Sequence, residues 1–177
     1  MAVMVWVCRI CGEAYISNTN KPARCPFCGA YEKYLVDSKK YDESGAWNVE
    51  LNDIDKANVE KALGVEISNA LFYKCASKKV KEIDGIKLFK ILNKVESEHA
   101  AVWKKILKLD EIKWEPAESC EDDYKADLED SHRREERAIK FYGEAAAAAK
   151  NPRVKEIFQA FVEVETDHLK LSEERLK

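Results

Sequence analysis

Val95-Glu-Ser-Glu-His99 and Val164-Glu-Thr-Asp-His168 are the two stretches that decide the fold. Each contains Glu-x-x-His, and each glutamate of the pair lies 30 residues beyond another, Glu96 beyond Glu66 and Glu165 beyond Glu135. Sliding the chain along itself by 69 residues superposes the two sets without a gap. The same shift lays Phe72 on Phe141, Tyr73 on Tyr142, Ala76 on Ala145 and Phe89 on Phe158. One Glu-x-x-His means little in a chain with 33 Asp and Glu, where a solvated glutamate and a paired histidine are the simpler reading. Two of them, in phase with two further glutamates, point to a metal site.

Around these motifs the apolar period is 3.6 residues, which predicts helices at roughly 53–80, 85–109, 120–149 and 152–176. Gly85 reads as the break after the first helix. Ser119-Cys-Glu-Asp122 resembles a capping box, and Asn151-Pro152 gives an N-cap followed by Pro at N1. Short connections make the first and second pairs antiparallel hairpins. The segment 110–119, extended at about 3.3 Å per residue, is long enough to cross a bundle, although simple up-down order also fits. Glu66, Glu96, Glu135 and Glu165 then fall near the middle of their helices and at one height, and His99 and His168 share faces with the glutamates three residues before them.

Charge says what such a set is for. Four ionised carboxylates inside a bundle cost several kcal/mol each without partners. Two divalent cations would neutralise them and leave the imidazoles neutral. Hard carboxylates with imidazole suit iron or manganese, and one Glu from each of two helices plus Glu-x-x-His from the other two is the pattern of di-iron carboxylate bundles. Tyr73 and Tyr142, two turns after Glu66 and Glu135 and on the same faces, are each candidates to hydrogen-bond one of the ligand carboxylates, with plain core aromatics as the alternative. His132 is a candidate further ligand. Glu98 and Asp167 read as solvent-facing, and Arg133, Arg134 and Arg137 as a charged outer face with Glu136.

Residues 1–36 have a different composition, with four of the six cysteines and β-favouring pieces at Val3–Val7 and Tyr34–Val36. Residues 37–52 read as a polar linker that Trp47 could pin to a domain surface, and 53–177 as the bundle. Cys8-x-x-Cys11 and Cys25-x-x-Cys28 form a four-thiolate signature, which suits structural zinc or a one-electron iron centre. Cys75 and Cys120 have no partner pattern and read as ordinary thiols. A net charge of -3 gives no reason to expect nucleic acid or an anionic membrane as partner. The start MAVMVWVC lacks the features of a signal peptide, and a soluble cytoplasmic protein is the expectation.

The residues around the cysteines, Trp6-Val-Cys8, Cys11-Gly12-x-x-Tyr15, Cys25-Pro26-x-Cys28-Gly29 and Tyr34-Leu35, resemble rubredoxin. Joined to a ferritin-like four-helix bundle, the whole chain resembles the rubrerythrins, in the rubredoxin-first domain order. The resemblance implies one iron on Cys8, Cys11, Cys25 and Cys28, and two on Glu66, Glu96, His99, Glu135, Glu165 and His168, with Tyr73 and Tyr142 beside them. It implies a peroxidase that reduces hydrogen peroxide to water, fed by rubredoxin or an NAD(P)H-dependent reductase, and working as a homodimer or higher homo-oligomer. A ferroxidase or oxygen-reducing protein, or an electron carrier with structural zinc, are the alternatives. One departure stands out. Where the best-known members carry an extra ligand Glu one turn after the third-helix Glu, this chain has Ala138, with Asn69 as its repeat mate.

Overall fold

The computed structural model describes residues 3–18 and 20–177; Met1, Ala2 and Thr19, which the expected 1–36 module includes, lie outside them. Three strands open the chain: β1 (Val3–Cys8), β2 (Ala14–Asn18) and β3 (Leu35–Asp37), in the antiparallel order β2-β1-β3. Two tight turns carry the cysteines. In each, the glycine after the second cysteine has positive φ, Gly12 at +83° and Gly29 at +75°, and its N–H donates to the carbonyl of the first cysteine. An L side chain rarely adopts that backbone, so the CxxCG spacing is what lets both sulfurs of each turn face inward.

Four helices follow: α1 (Asp53–Lys79), α2 (Ile83–Leu107), α3 (Tyr124–Ala148) and α4 (Pro152–Leu176). Asn52 caps α1 and Asn151 caps α4, each accepting two backbone N–H groups, with Pro152 opening α4 as expected. The first break falls at Val80–Glu82, and Gly85 lies inside the first turn of α2. Its missing side chain makes room for the Tyr124 ring, 2.8 Å from where a Cβ would stand. The N-cap of α3 is Asp123, whose carboxylate accepts from Ala126 N, so Ser119–Asp122 precedes the helix and does not start it.

Long-range pairs fix the helix directions. Asp55, fully buried at the start of α1, accepts from Lys150 N and Asn151 N at the end of α3. Cys75 near the end of α1 is bonded to Cys120, just ahead of α3. Helices α1 and α3 are therefore antiparallel, and 108–123 must run the length of the bundle. Asp84 at the start of α2 meets Arg175 at the end of α4, which makes that pair antiparallel too. The crossover option is the one adopted.

The disulfide corrects the expectation of ordinary thiols at Cys75 and Cys120. Forty-five residues separate the pair, and only the crossover brings them together. The crossover also corrects the outer-face reading of Arg134. It carries Glu118 back over α1 and α3, where Arg134, 11% exposed, bonds Glu118, Asp130 and Ser68 and lies 4.3 Å over the Phe72 ring. Arg133, Glu136 and Arg137 remain exposed.

Two apolar clusters fill the bundle. Phe72, Tyr73, Leu88, Phe89 and Leu128 pack at one end. Trp103, Tyr142, Ile157, Phe158 and Phe161 pack at the other, in a cluster that continues into the cysteine module through Ile10 and Leu35. Trp47 is clamped between them, with Gly12 against its ring and the Lys105 and Arg153 cations 5.0 and 5.1 Å from its centre. Among the described residues no helix is long and apolar enough to cross a membrane.

Closing a 45-residue loop restricts the unfolded chain, so the Cys75→Ser/Cys120→Ser double variant should lose about 2–4 kcal/mol. Urea unfolding measures this, and an unchanged midpoint contradicts it.

Candidate metal centres

Between the two apolar clusters lies one polar layer. Glu66, Glu96, His99, Glu135 and Glu165 are fully buried, and His168 is 6% exposed. All six come from the middle turns of their helices. The doubled Glu-x-x-His puts a carboxylate and an imidazole on one face of α2 and again on one face of α4.

Each imidazole turns Nδ1 into the layer. His99 Nδ1 lies 3.0 Å from Glu165, 3.4 Å from Glu96 and 3.6 Å from Glu66. His168 Nδ1 lies 2.8 Å from Glu165 and 3.0 Å from Glu96. Glu96 and Glu165 each use one oxygen toward His99 and the other toward His168. The layer is thus two overlapping four-ligand sets, Glu66-Glu96-His99-Glu165 and Glu96-Glu135-Glu165-His168, each with donor atoms within 4.8 Å of one another. Glu96 and Glu165 have the geometry of bridges, while Glu66 and Glu135 belong to one set each. The spacing alone did not distinguish those roles.

Tyr142 OH donates to Glu66 and Tyr73 OH donates to Glu135. Each tyrosine therefore serves the glutamate of the opposite helix, because α1 and α3 run antiparallel. Tyr73 OH also meets Ser131 Oγ at 2.9 Å, a contact the sequence did not suggest. His132 stands apart from both sets, beside Glu136 and Ser172.

The electrostatics of the layer follow from burying four carboxylates beside two imidazoles. Burial, then the neighbouring Glu96, pushes Glu66 well above the usual carboxylate range. Burial followed by Glu96 and Glu165 does the same to Glu135. Burial also opposes ionisation of Glu96, but the adjacent His168 and His99 outweigh it and hold Glu96 below its ordinary value. Glu165 is lowered as well, since the two imidazoles overcome burial and the Glu96 charge. Burial opposes charge on the imidazoles in turn, yet Glu165 and Glu66 raise His99, and Glu165 and Glu96 raise His168. The directions work together: protons are favoured on Glu66, Glu135 and the two imidazoles, and negative charge on Glu96 and Glu165, which brings the layer toward balance. Even so, eight donor atoms of these six residues find no hydrogen-bond partner of good geometry. Buried atoms left in that state cost about 1–3 kcal/mol each, and a bound cation is what this set of acceptors fits.

The four cysteines form the second centre. All are buried, with Sγ–Sγ separations of 3.7 Å for Cys8–Cys28 and for Cys11–Cys25. A tetrahedral site with metal–sulfur bonds of about 2.3 Å has sulfur–sulfur edges of about 3.8 Å, so the cage fits one metal ion. Hydrogen bonds from the other three sulfurs lower Cys8, and the bond from Cys11 lowers Cys25; the same contacts raise Cys11 and Cys28. The cage is closed on all sides by its own turns and leaves no position for a substrate.

The two centres touch. His99 Nε2–H donates to the Cys28 carbonyl at 2.9 Å, so one ligand candidate of the bundle is bonded to the peptide of a thiolate ligand candidate. That bond fixes the tautomer in which the neutral ring presents a lone pair at Nδ1 to the layer. Around it the module is held to the bundle by Lys105 to Cys11 O, Arg153 to Arg9 O and Ile10 O, and by the pairs Arg9–Glu156, Lys33–Glu163 and Arg24–Asp167. Asp167, expected to face solvent, instead accepts from Tyr31 OH as well, because the module docks over it. Glu98 is also partly covered, and that burial raises its carboxyl. No protein-family model matches the chain, and no curated protein or solved structure matches it either.

A divalent cation entering the His99 set competes with protons that burial and its neighbours favour on Glu66 and that Glu165 and Glu66 favour on His99. Cation binding should therefore release protons, up to about two per cation, measurable by calorimetry in buffers of different ionisation enthalpy. Both groups are raised, so a falling pH favours their protonated forms and affinity should fall, by up to about 100-fold from pH 7 to pH 6. A pH-independent affinity contradicts this account.

Proposed function

We propose that the chain is a non-haem di-iron peroxidase of rubrerythrin type, reducing hydrogen peroxide to water at the carboxylate–histidine layer of a ferritin-like bundle. In this reading the four-cysteine cage holds one iron and passes electrons inward. The observation that carries the reading is the His99 Nε2–H to Cys28 O hydrogen bond, a short path between a closed thiolate cage and a layer with room for two cations.

A ferrous pair bound by Glu66, Glu96, His99, Glu135, Glu165 and His168 would supply the two electrons that, with two protons, convert hydrogen peroxide to two waters. The chain's own residues do the rest. Glu96 and Glu165 span both sets and hold their spacing. Tyr142 and Tyr73 keep their protons, since burial and the carboxylates beside them push both phenols well up, so each remains a hydrogen-bond donor to Glu66 or Glu135. The apolar clusters on either side exclude bulk water from the layer. His99 orients its ring by the Cys28 carbonyl and by stacking on Phe161 at 4.0 Å.

The cage is refilled from outside by a reduced rubredoxin or an NAD(P)H-dependent reductase, in a soluble cytoplasmic setting. The path to His99 runs within one chain, so a homodimer is not required for this transfer.

The test mixes anaerobically reduced, iron-loaded protein with hydrogen peroxide or with oxygen and follows ferric absorption of both centres. Peroxide should oxidise the protein at least about tenfold faster than oxygen, and ferric-thiolate colour should appear with it. Faster oxidation by oxygen would favour a ferroxidase or oxygen-reducing activity. A protein with no ferric-thiolate absorption would remove the relay.

A further inference from the structure

The 69-residue repeat makes Asn69 and Ala138 equivalent, each three residues after the one layer glutamate of its helix, Glu66 or Glu135. Both are buried, at 3% and 2% exposure, on the faces that carry Glu66 and Glu135. Here the two halves of the layer stop matching: one side has an amide and the other only a methyl group. Between them α1 and α3 leave a cleft of about 520 Å³, lined by Lys61, Gly64, Asn69, Arg134, Arg137 and Ala138 among others, with no carboxylate in its wall.

The Asn69 amide is oriented by its neighbour. Arg134 Nη1 approaches Oδ1 at 3.5 Å, and a guanidinium can only donate, so Nδ2 lies on the other side. That Nδ2 is shielded from solvent and has no partner. Cations would satisfy the unpartnered oxygens and imidazole nitrogens of the layer, but never an N–H donor. Only an acceptor can, and the protein offers none there. The rim adds a preference of charge. Arg137 is exposed and makes no ion pair among the described residues, and the Lys61 ammonium rests 4.1 Å over the Phe141 ring.

We propose that the α1–α3 cleft is the port through which peroxide or a small anion reaches the layer, and that Asn69 Nδ2–H is the positioning donor that holds it there. This rests on the metal-site reading above. Gly64 and Ala138 keep the port open by having no bulk, and the cationic rim raises the local concentration of anions.

Azide is the probe, titrated into the oxidised, iron-loaded full chain and followed by its charge-transfer absorption. Asn69→Ala should raise the azide Kd about tenfold, and Asn69→Gln, which retains a donor, should recover part of that loss. Gly64→Leu should slow azide association about tenfold; an added Cβ at Gly64 meets nothing within 4 Å, and Gly64→Ala, which adds only that atom, is the control for the fold. Arg137→Glu should slow association at low salt and lose its effect at high salt. The proposal is overturned by an unchanged Kd in Asn69→Ala, by unchanged association in Gly64→Leu, or by iron-loaded wild type that gives no azide band. Wild type that turns over no peroxide yet shows these azide shifts supports the port and rejects the peroxidase. Wild type that takes no iron into the layer overturns both.

Discussion

Six ionisable side chains occupy a layer from which water is shut out, with apolar clusters on both sides, and the rest of the chain is arranged so that this layer can be neutral. Burial and like charges favour protons on Glu66 and Glu135, and the carboxylates favour them on His99 and His168, which moves the layer toward neutrality. Cations bound to the same residues would compete with those protons. The bundle thus tolerates a charge density that would otherwise cost several kcal/mol per carboxylate. Burial that would be a defect in an ordinary core leaves here a set of acceptors that a cation would satisfy.

The second constraint is contact between the centres. Charged pairs from α2 and α4 clamp the cysteine module, and their combined effect is to set the Cys28 carbonyl against His99 Nε2. A loosely tethered module would leave that nitrogen to water and its tautomer unfixed. Trp47, wedged between Gly12 and two cations, keeps the linker short of slack on the same side. Asn69 breaks the repeat where the α1–α3 cleft lies beside the helix faces that carry Glu66 and Glu135.

Local pattern explains what could be read from the sequence. Glu-x-x-His on a helix, CxxCG in a turn and Asn-Pro at an N-cap each depend on residues within one or two turns, so spacing alone places Glu96 with His99, Cys8 with Cys11 and the start of α4. The convergence of all six layer residues followed from the 69-residue repeat. What stayed hidden depends on docking. Cys75 and Cys120 meet because the crossover lays Cys120 over α1; Arg134 is largely covered because the same segment brings Glu118; Asp167 is taken by Arg24 and by Tyr31, the latter 136 residues away in sequence. Gly85 was misread for the same reason, since its use is to admit the Tyr124 ring from another helix. That Glu96 and Glu165 belong to both sets needed three-dimensional positions, because Glu-x-x-His pairs each with a histidine without saying which carboxylate spans the layer.

The central claim is that the layer is two overlapping cation sets sharing Glu96 and Glu165, beside a separate thiolate cage. Native mass spectrometry of the iron-loaded full chain counts the ions directly. Three per chain are expected for the wild type, with Glu66→Ala losing one and Glu96→Ala losing two. A wild type that holds a single ion, or a Glu96→Ala variant that keeps all of them, would contradict the account.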